Sequence, residues 1–311
     1  MALLQLIPYN TSVDMVKRRF IFFAISIFIV VGSIFTFYYK DLNYGVDFKG
    51  GFVIEIRTPE AADIGKMRAD LGKLNLGGVK LQEFGSPNDV MIRVERQPGG
   101  DEAQIGAINK IKAALGPKVD YRKTDTVGPT VSAELKKNAW LAIIFATISM
   151  LVYISFRFEW HFGVAAIIAL IHDCIAIIGL YAITGLEYNE TAIIAILTTA
   201  GYSINDTVVI YDRIRENMRK YKKMEMHELV NKSINETFSR TIYTSVTTLL
   251  ALLSLYLFGG TIISTFSLPI MVGILIGTYS SICLASMLLL FFKIRRNISA
   301  NPQSPVPANR P

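Results

Sequence analysis

The sequence predicts a polytopic α-helical membrane protein, with six transmembrane helices and a βαββαβ ferredoxin-like extracytoplasmic domain between the first and second. Three observations predict it. Of 311 residues, 51% are hydrophobic and only 18% charged, and the mean hydropathy of +0.39 is too apolar for an ordinary soluble domain. Six apolar runs reach the length that crosses a bilayer as a helix. Between the first two runs the pattern changes to strict alternation, turn clusters and helical periodicity.

The expected spans are residues 20–39, 139–156, 162–184, 191–211, 241–258 and 268–292. The first follows Lys17-Arg18-Arg19, which resembles the basic start of a signal peptide. Its apolar run is long, and no small-residue cleavage site follows, so it reads as an uncleaved anchor. Orientation comes from the basic residues. Lys17–Arg19, Arg157, the run from Arg213 to Lys232, and Lys293, Arg295 and Arg296 all fall on one side of a six-span arrangement. That side is expected to be cytoplasmic, with residues 1–19 and 293–311 on it and the domain 40–138 outside. Residues 297–311 contain four prolines and little apolar surface, and read as a disordered tail.

The net charge of +7 does not indicate nucleic acid. Residues 41–137 carry 15 Lys/Arg against 14 Asp/Glu, so +6 of the +7 lies in short segments beside apolar runs. That distribution is a topology signal and a set of lipid contacts. Within 212–240, expected as a cytoplasmic amphipathic loop, Met226, Leu229, Val230, Ile234 and Phe238 form an apolar face suited to the membrane surface.

In the extracytoplasmic domain, residues 52–57 read as a strand. Residues 59–74 read as a helix with Ile64, Met67, Leu71 and Leu74 on one face. The alternating runs 79–84 and 90–94 flank the turn cluster 85–88 and form a hairpin. A helix over 101–115 presents Ile105, Ile108, Ile111 and Leu115, and a last strand falls near 119–124. This order is the split βαβ arrangement. The domain holds no Cys, no His and no Gly-rich phosphate loop, so binding or mechanical coupling is expected of it rather than catalysis.

The chemistry is expected inside the membrane. A charged side chain at mid-span costs about 2.5–3.5 kcal/mol, so each one needs a partner or a task. Asp206 lies in the fourth run beside Asn205, and Tyr202, Asp206, Val209 and Arg213 share a helix face. Arg240 stands at the start of the fifth run, whose first turns carry Thr241, Thr244, Ser245, Thr247 and Thr248. Asp206 and Arg240 read either as a structural ion pair or as stations of a proton relay. His172 and Asp173, in the third run, read either as structural hydrogen-bonding groups or as further polar stations. Gly273 and Gly277 form a GxxxG contact motif, and Pro269 marks the start or a bend of the last span. Cys174 and Cys283 read as small core residues. No metal is expected, because His161, His172 and His227 fall at different depths or sides. No cofactor, nucleophile–base pair or enzymatic activity is indicated.

The motifs are also specific to a family. Asp41-Leu42-Asn43-Tyr44-Gly45-Val46-Asp47-Phe48-Lys49-Gly50-Gly51 resembles the signature of the SecD/SecF family of bacterial protein-export membrane proteins. Val127-Gly128-Pro129 with Glu134-Leu135, residues 201–217, and Gly277-Thr278-Tyr279-Ser280-Ser281 are similar to the same family in the same order. The resemblance spans about residues 16–296. It implies membership of the RND superfamily and a SecD partner related by a pseudo-twofold. It also implies association with the SecYEG channel and YajC in the cell inner membrane, and promotion of preprotein translocation by proton motive force. In that family the proton-path acid of the fourth span falls on Asp206 and the arginine of the fifth on Arg240. The remaining acid belongs to SecD. Two alternatives stand beside it: half of another RND-type exporter, which the small external domain disfavours, and a scaffold of the translocon that transduces nothing.

Overall fold

The computed structural model describes residues 13–84, 86–292 and 294. The basic residues Lys293, Arg295 and Arg296, the tail 297–311, the first twelve residues and Gly85 lie outside them.

Six long helices make the bundle: α1 (Arg19–Lys40), α5 (Pro129–Arg157), α6 (Trp160–Thr184), α7 (Glu190–Lys220), α8 (Met226–Phe258) and α9 (Gly260–Ser280), the last extended by a short π-helix over Ser281–Ala285. Each contains a stretch apolar enough to cross a bilayer, and the chain is a multi-pass membrane protein. The remaining elements are the one-turn helix α2 (Val46–Lys49), β1 (Gly51–Arg57), α3 (Ile64–Gly72), β2 (Val79–Phe84), β3 (Ser86–Glu95), α4 (Gly100–Leu115) and β4 (Asp120–Val127).

The strands form one antiparallel sheet in the order β2-β3-β1-β4, the ferredoxin-like arrangement. Phe52, Ile54 and Ile56 of β1 stand opposite Val94, Ile92 and Val90 of β3, so the period-two alternation places six apolar side chains on one face. All six are fully buried, against Met67 and Leu71 of α3 and Ala107 and Ile111 of α4. Full burial of each large apolar side chain contributes about 1.5–3 kcal/mol relative to exposure. The α4 face differs from expectation: Ile105 is 59% exposed, and Gln104, Ala107 and Ile111 point inward. Helix α3 begins five residues later than the apolar pattern suggested, where the Asp63 carboxylate accepts from the Lys66 backbone N–H.

In the bundle, α6, α7 and the last span are central, whereas the apolar windows of α1, α5 and α8 bury only 11%, 6% and 11% of their residues. Close approach depends on glycine. A Cβ on Gly273 of α9 would lie 2.3 Å from Thr199 Oγ1 of α7, and one on Gly179 of α6 would lie 2.8 Å from the Ser33 Cα of α1. The GxxxG motif is therefore a contact between α9 and α7. Pro269 sits inside α9 instead of opening it.

The segment 212–240 is not a surface loop. α7 continues to Lys220, and α8 starts at Met226 and runs without a break into the fifth span. Leu229, Val230 and Ile234 are fully buried in the bundle's own core with Met15, Val16 and Tyr211, so their apolar face meets protein rather than lipid. Asn231 Oδ1 accepts from the Met15 backbone N–H, and Asn235 exchanges hydrogen bonds with Val13, which binds the chain ahead of α1 to α8.

Candidate functional site

Two buried carboxylates occupy the centre of the bundle, and their surroundings differ. Asp173 of α6 is 1% exposed and fully engaged. Its Oδ2 accepts from Ser203 Oγ of α7 at 2.6 Å and from Ser280 Oγ of α9 at 2.7 Å, and its Oδ1 lies 2.9 Å from His172 Nδ1. One carboxylate thus joins three helices. Burial is tolerable here because each oxygen has a hydrogen-bond partner in a region of low dielectric.

The network continues into the π-helix. Ser281 Oγ donates to the Ser203 carbonyl and lies 2.9 Å from Thr207 Oγ1. Ser286 Oγ donates to the Ser281 carbonyl, and Tyr211 Oη to the Ala285 carbonyl. Side chains therefore satisfy carbonyls around the widened turn, and that turn lets consecutive serines, 280 and 281, reach Asp173 and α7.

Asp206 of α7 is 2% exposed, yet its Oδ2 has no hydrogen-bond partner among the described residues. Arg240 is exposed and within electrostatic reach of Asp206, but the two form no ion pair. The helix register explains why. Tyr202 meets Thr248, Arg213 binds Glu236 and Asn217 binds Ser233, so Asp206 stands level with Thr244 and Arg240 lies one turn further along. The structural ion pair considered from sequence is absent. Arg213, on the face of Asp206, is committed to Glu236 at 2.7 Å and Glu216 at 2.6 Å.

The other polar candidates separate. Tyr202 is half-buried, with Thr248 Oγ1 3.5 Å from its hydroxyl. Asn205 faces outward from α7 beside exposed Thr198 and Gly201. Thr247 is exposed too, and its hydroxyl returns to the Tyr243 and Thr244 carbonyls of its own helix. Neither joins the buried network. Ser203, Ser280, Ser281 and Thr207 do, although sequence reasoning quoted them only within the family motifs 201–217 and 277–281 and not as site residues. Among the described residues no group of three His, Cys, Asp or Glu side chains could hold a metal ion.

Residues 107–295 match the family described as protein export membrane protein SecD/SecF, C-terminal. The chain belongs to the SecD/SecF family. It is 45% identical over 298 residues to the protein translocase subunit SecF of Rickettsia felis, covering 94% of this chain and 96% of that one. Identity to the protein translocase subunit SecF of Rickettsia prowazekii is 43% over 297 residues, covering 94% and 95%. The crystal structure of SecDF, a translocon-associated membrane protein from Thermus thermophilus, superposes with a TM-score of 0.79 at 33% identity over 92% of this chain. SecDF in its super-membrane-facing form gives a TM-score of 0.69 at 34% identity. The chain corresponds to 39% of the length of the first SecDF polypeptide. Three of the SecD/SecF motifs fall at two places in this fold. Residues 201–217 and 277–281 carry the buried network, and residues 41–51 wrap the link between α6 and α7.

Proposed function

We propose that this chain is a SecF-type subunit of the bacterial Sec export machinery. It acts with SecD to use proton motive force in promoting translocation of preproteins across the cytoplasmic membrane. Asp206 is the protonatable group, Arg240 the cation that responds to it, and SecD supplies the rest of the path. The subunit sits in the inner membrane with both termini cytoplasmic and the sheet domain outside, and it works beside the SecYEG channel and YajC.

The observation that carries this reading is the contrast between the two buried acids. Asp173 loses three contacts if its geometry changes, so it is suited to hold helices together. Asp206 has a buried oxygen with no donor, so its charge is poorly compensated, and a proton relieves that cost with no hydrogen bond lost. Moving one elementary charge through 100 mV is worth about 2.3 kcal/mol, enough to bias a two-state helix arrangement about fiftyfold. The outward stripe of Thr191, Ile194, Thr198, Gly201 and Asn205 on α7 is more polar than lipid favours, which supports a second subunit seated there.

The test is export in cells depleted of the native subunit and supplied with Asp206→Asn. Precursor processing should slow as in the depleted strain while SecD still co-isolates. Wild-type processing overturns the relay, and loss of SecD co-isolation favours a structural role.

A further inference from the structure

We propose that Asn43, Gly45, Asp47 and Arg93 form a joint through which the α6–α7 hairpin moves the sheet domain, with Arg93 and Glu187 as its positioning pair. The proposal rests on the proton-coupled reading above and adds the route by which motion leaves the bundle.

Both buried acids sit on one hairpin. Asp173 is on α6, Asp206 is on α7, and the chain joins these helices through the link after Thr184 and before Glu190. Neither helix contains proline, so each can transmit displacement along its length. Asp206 lies about 24 Å along α7 from Glu190 at the helical rise of about 1.5 Å per residue.

The link is gripped by the motif that leads into β1. Tyr188 N–H donates to the Asn43 carbonyl at 2.8 Å and Gly45 N–H to the Tyr188 carbonyl at 3.0 Å, a short parallel bridge. Asn43 Nδ2 donates to the Gly185 carbonyl at 2.8 Å, and its Oδ1 accepts from Lys80 Nζ of β2. The Asp47 carboxylate lies within reach of the Glu190 backbone N–H, at the first turn of the helix that carries Asp206. The motif packs closely on the link here, since a Cβ on Gly45 would lie 2.6 Å from Glu187 Oε1 and 3.1 Å from Asn189 Cβ.

A second grip comes from the sheet itself. Arg93 of β3 donates to Glu187 Oε2 at 2.5 Å, and both side chains are only 18% exposed. Arg93 projects from the sheet face opposite the buried Ile92 and Val94, toward the bundle. The link is thus fastened to β1 through its leading motif and to β3 through an ion pair. These are the two central strands of the sheet. A shift of α7 set by Asp206 reaches the sheet as a rigid displacement rather than being absorbed in a loose loop.

The experiment is gradient-stimulated export by the assembled complex with Arg93→Glu, Glu187→Arg and the two combined, with Asp206→Asn in parallel. Each single reversal should keep gradient-independent export and SecD association but lose at least half of the stimulation, and the double reversal should restore most of it. Should a reversal fail to assemble, Arg93→Gln and Glu187→Gln provide the milder break and should show the same partial loss. Wild-type stimulation in the assembled single variants, while Asp206→Asn has none, overturns the joint and leaves the relay intact. Stimulation lost in the reversals but kept in Asp206→Asn supports the joint and removes Asp206 as the relay. Single reversals that lose stimulation with no recovery in the double also overturn the pairing.

Discussion

Ser203 Oγ donates to Asp173 Oδ2 at 2.6 Å, one helical turn before Asp206 on the same helix. This bond sets α7 against α6 one turn from the second acid, so the satisfied carboxylate fixes the frame around the unsatisfied one. Ser280 completes it from α9.

Ser203→Ala and Ser280→Ala should each destabilise the protein by about 1–3 kcal/mol, because each leaves a buried carboxylate oxygen with one donor fewer. The double variant should depart from additivity, since both hydroxyls serve the same oxygen. Unfolding in detergent followed by circular dichroism measures both effects.

Gly179→Val should loosen α1 from α6. A Cβ at this position would lie 2.1 Å from Ser33 Oγ and 2.8 Å from its Cα, so the backbone of α1 must retreat. Overpacking of this kind typically costs about 1–3 kcal/mol. Cysteine pairs placed along α1 and α6 should cross-link less efficiently in the variant.

Ile92→Ala should cost about 2–5 kcal/mol in the sheet domain. Ile92 is fully buried between Ile54 and Leu81 on the neighbouring strands. The amides of β1 and β3 should lose hydrogen-exchange protection in the full-length protein while those of α6 and α7 keep theirs.

The sheet domain should weaken at acid pH through Asp89. The Arg57 guanidinium, bonded to both carboxylate oxygens at 2.6 Å, with a hydrogen bond from Ser86, holds the Asp89 carboxyl down at about 2. A folded value below the unfolded one means the stabilisation is complete above the ordinary carboxyl range near about 4. It is lost as pH falls through that range toward the folded value. Hydrogen exchange of β1 and β3 between neutral and strongly acidic pH should show this loss, and Asp89→Asn should flatten it.

The sequence was most informative where a pattern is local. Apolar run length marks all six spans, and period-two alternation places Phe52, Ile54, Ile56 and their β3 partners without tertiary information. Properties that depend on how helices meet were not legible. The apolar face of Leu229, Val230 and Ile234 is the same whether it meets lipid or protein, and only the packing of Met15, Val16 and Tyr211 decides between them. Ser280 reaches Asp173 across 107 residues of sequence from the turn that leads into a π-helix, which no periodicity reveals. The contact between Asp206 and Arg240 was a reasonable expectation from two opposite charges in apolar runs. The α7–α8 register misses it by one turn.

In the proposed mechanism, protonation of Asp206 couples the gradient to export. The most direct measurement is preprotein translocation into proteoliposomes holding the complete complex, with and without an imposed proton gradient, for the wild-type protein and Asp206→Asn. Rates should be equal without the gradient, and the gradient should stimulate only the wild type. Full stimulation of Asp206→Asn in an assembled complex would contradict this mechanism.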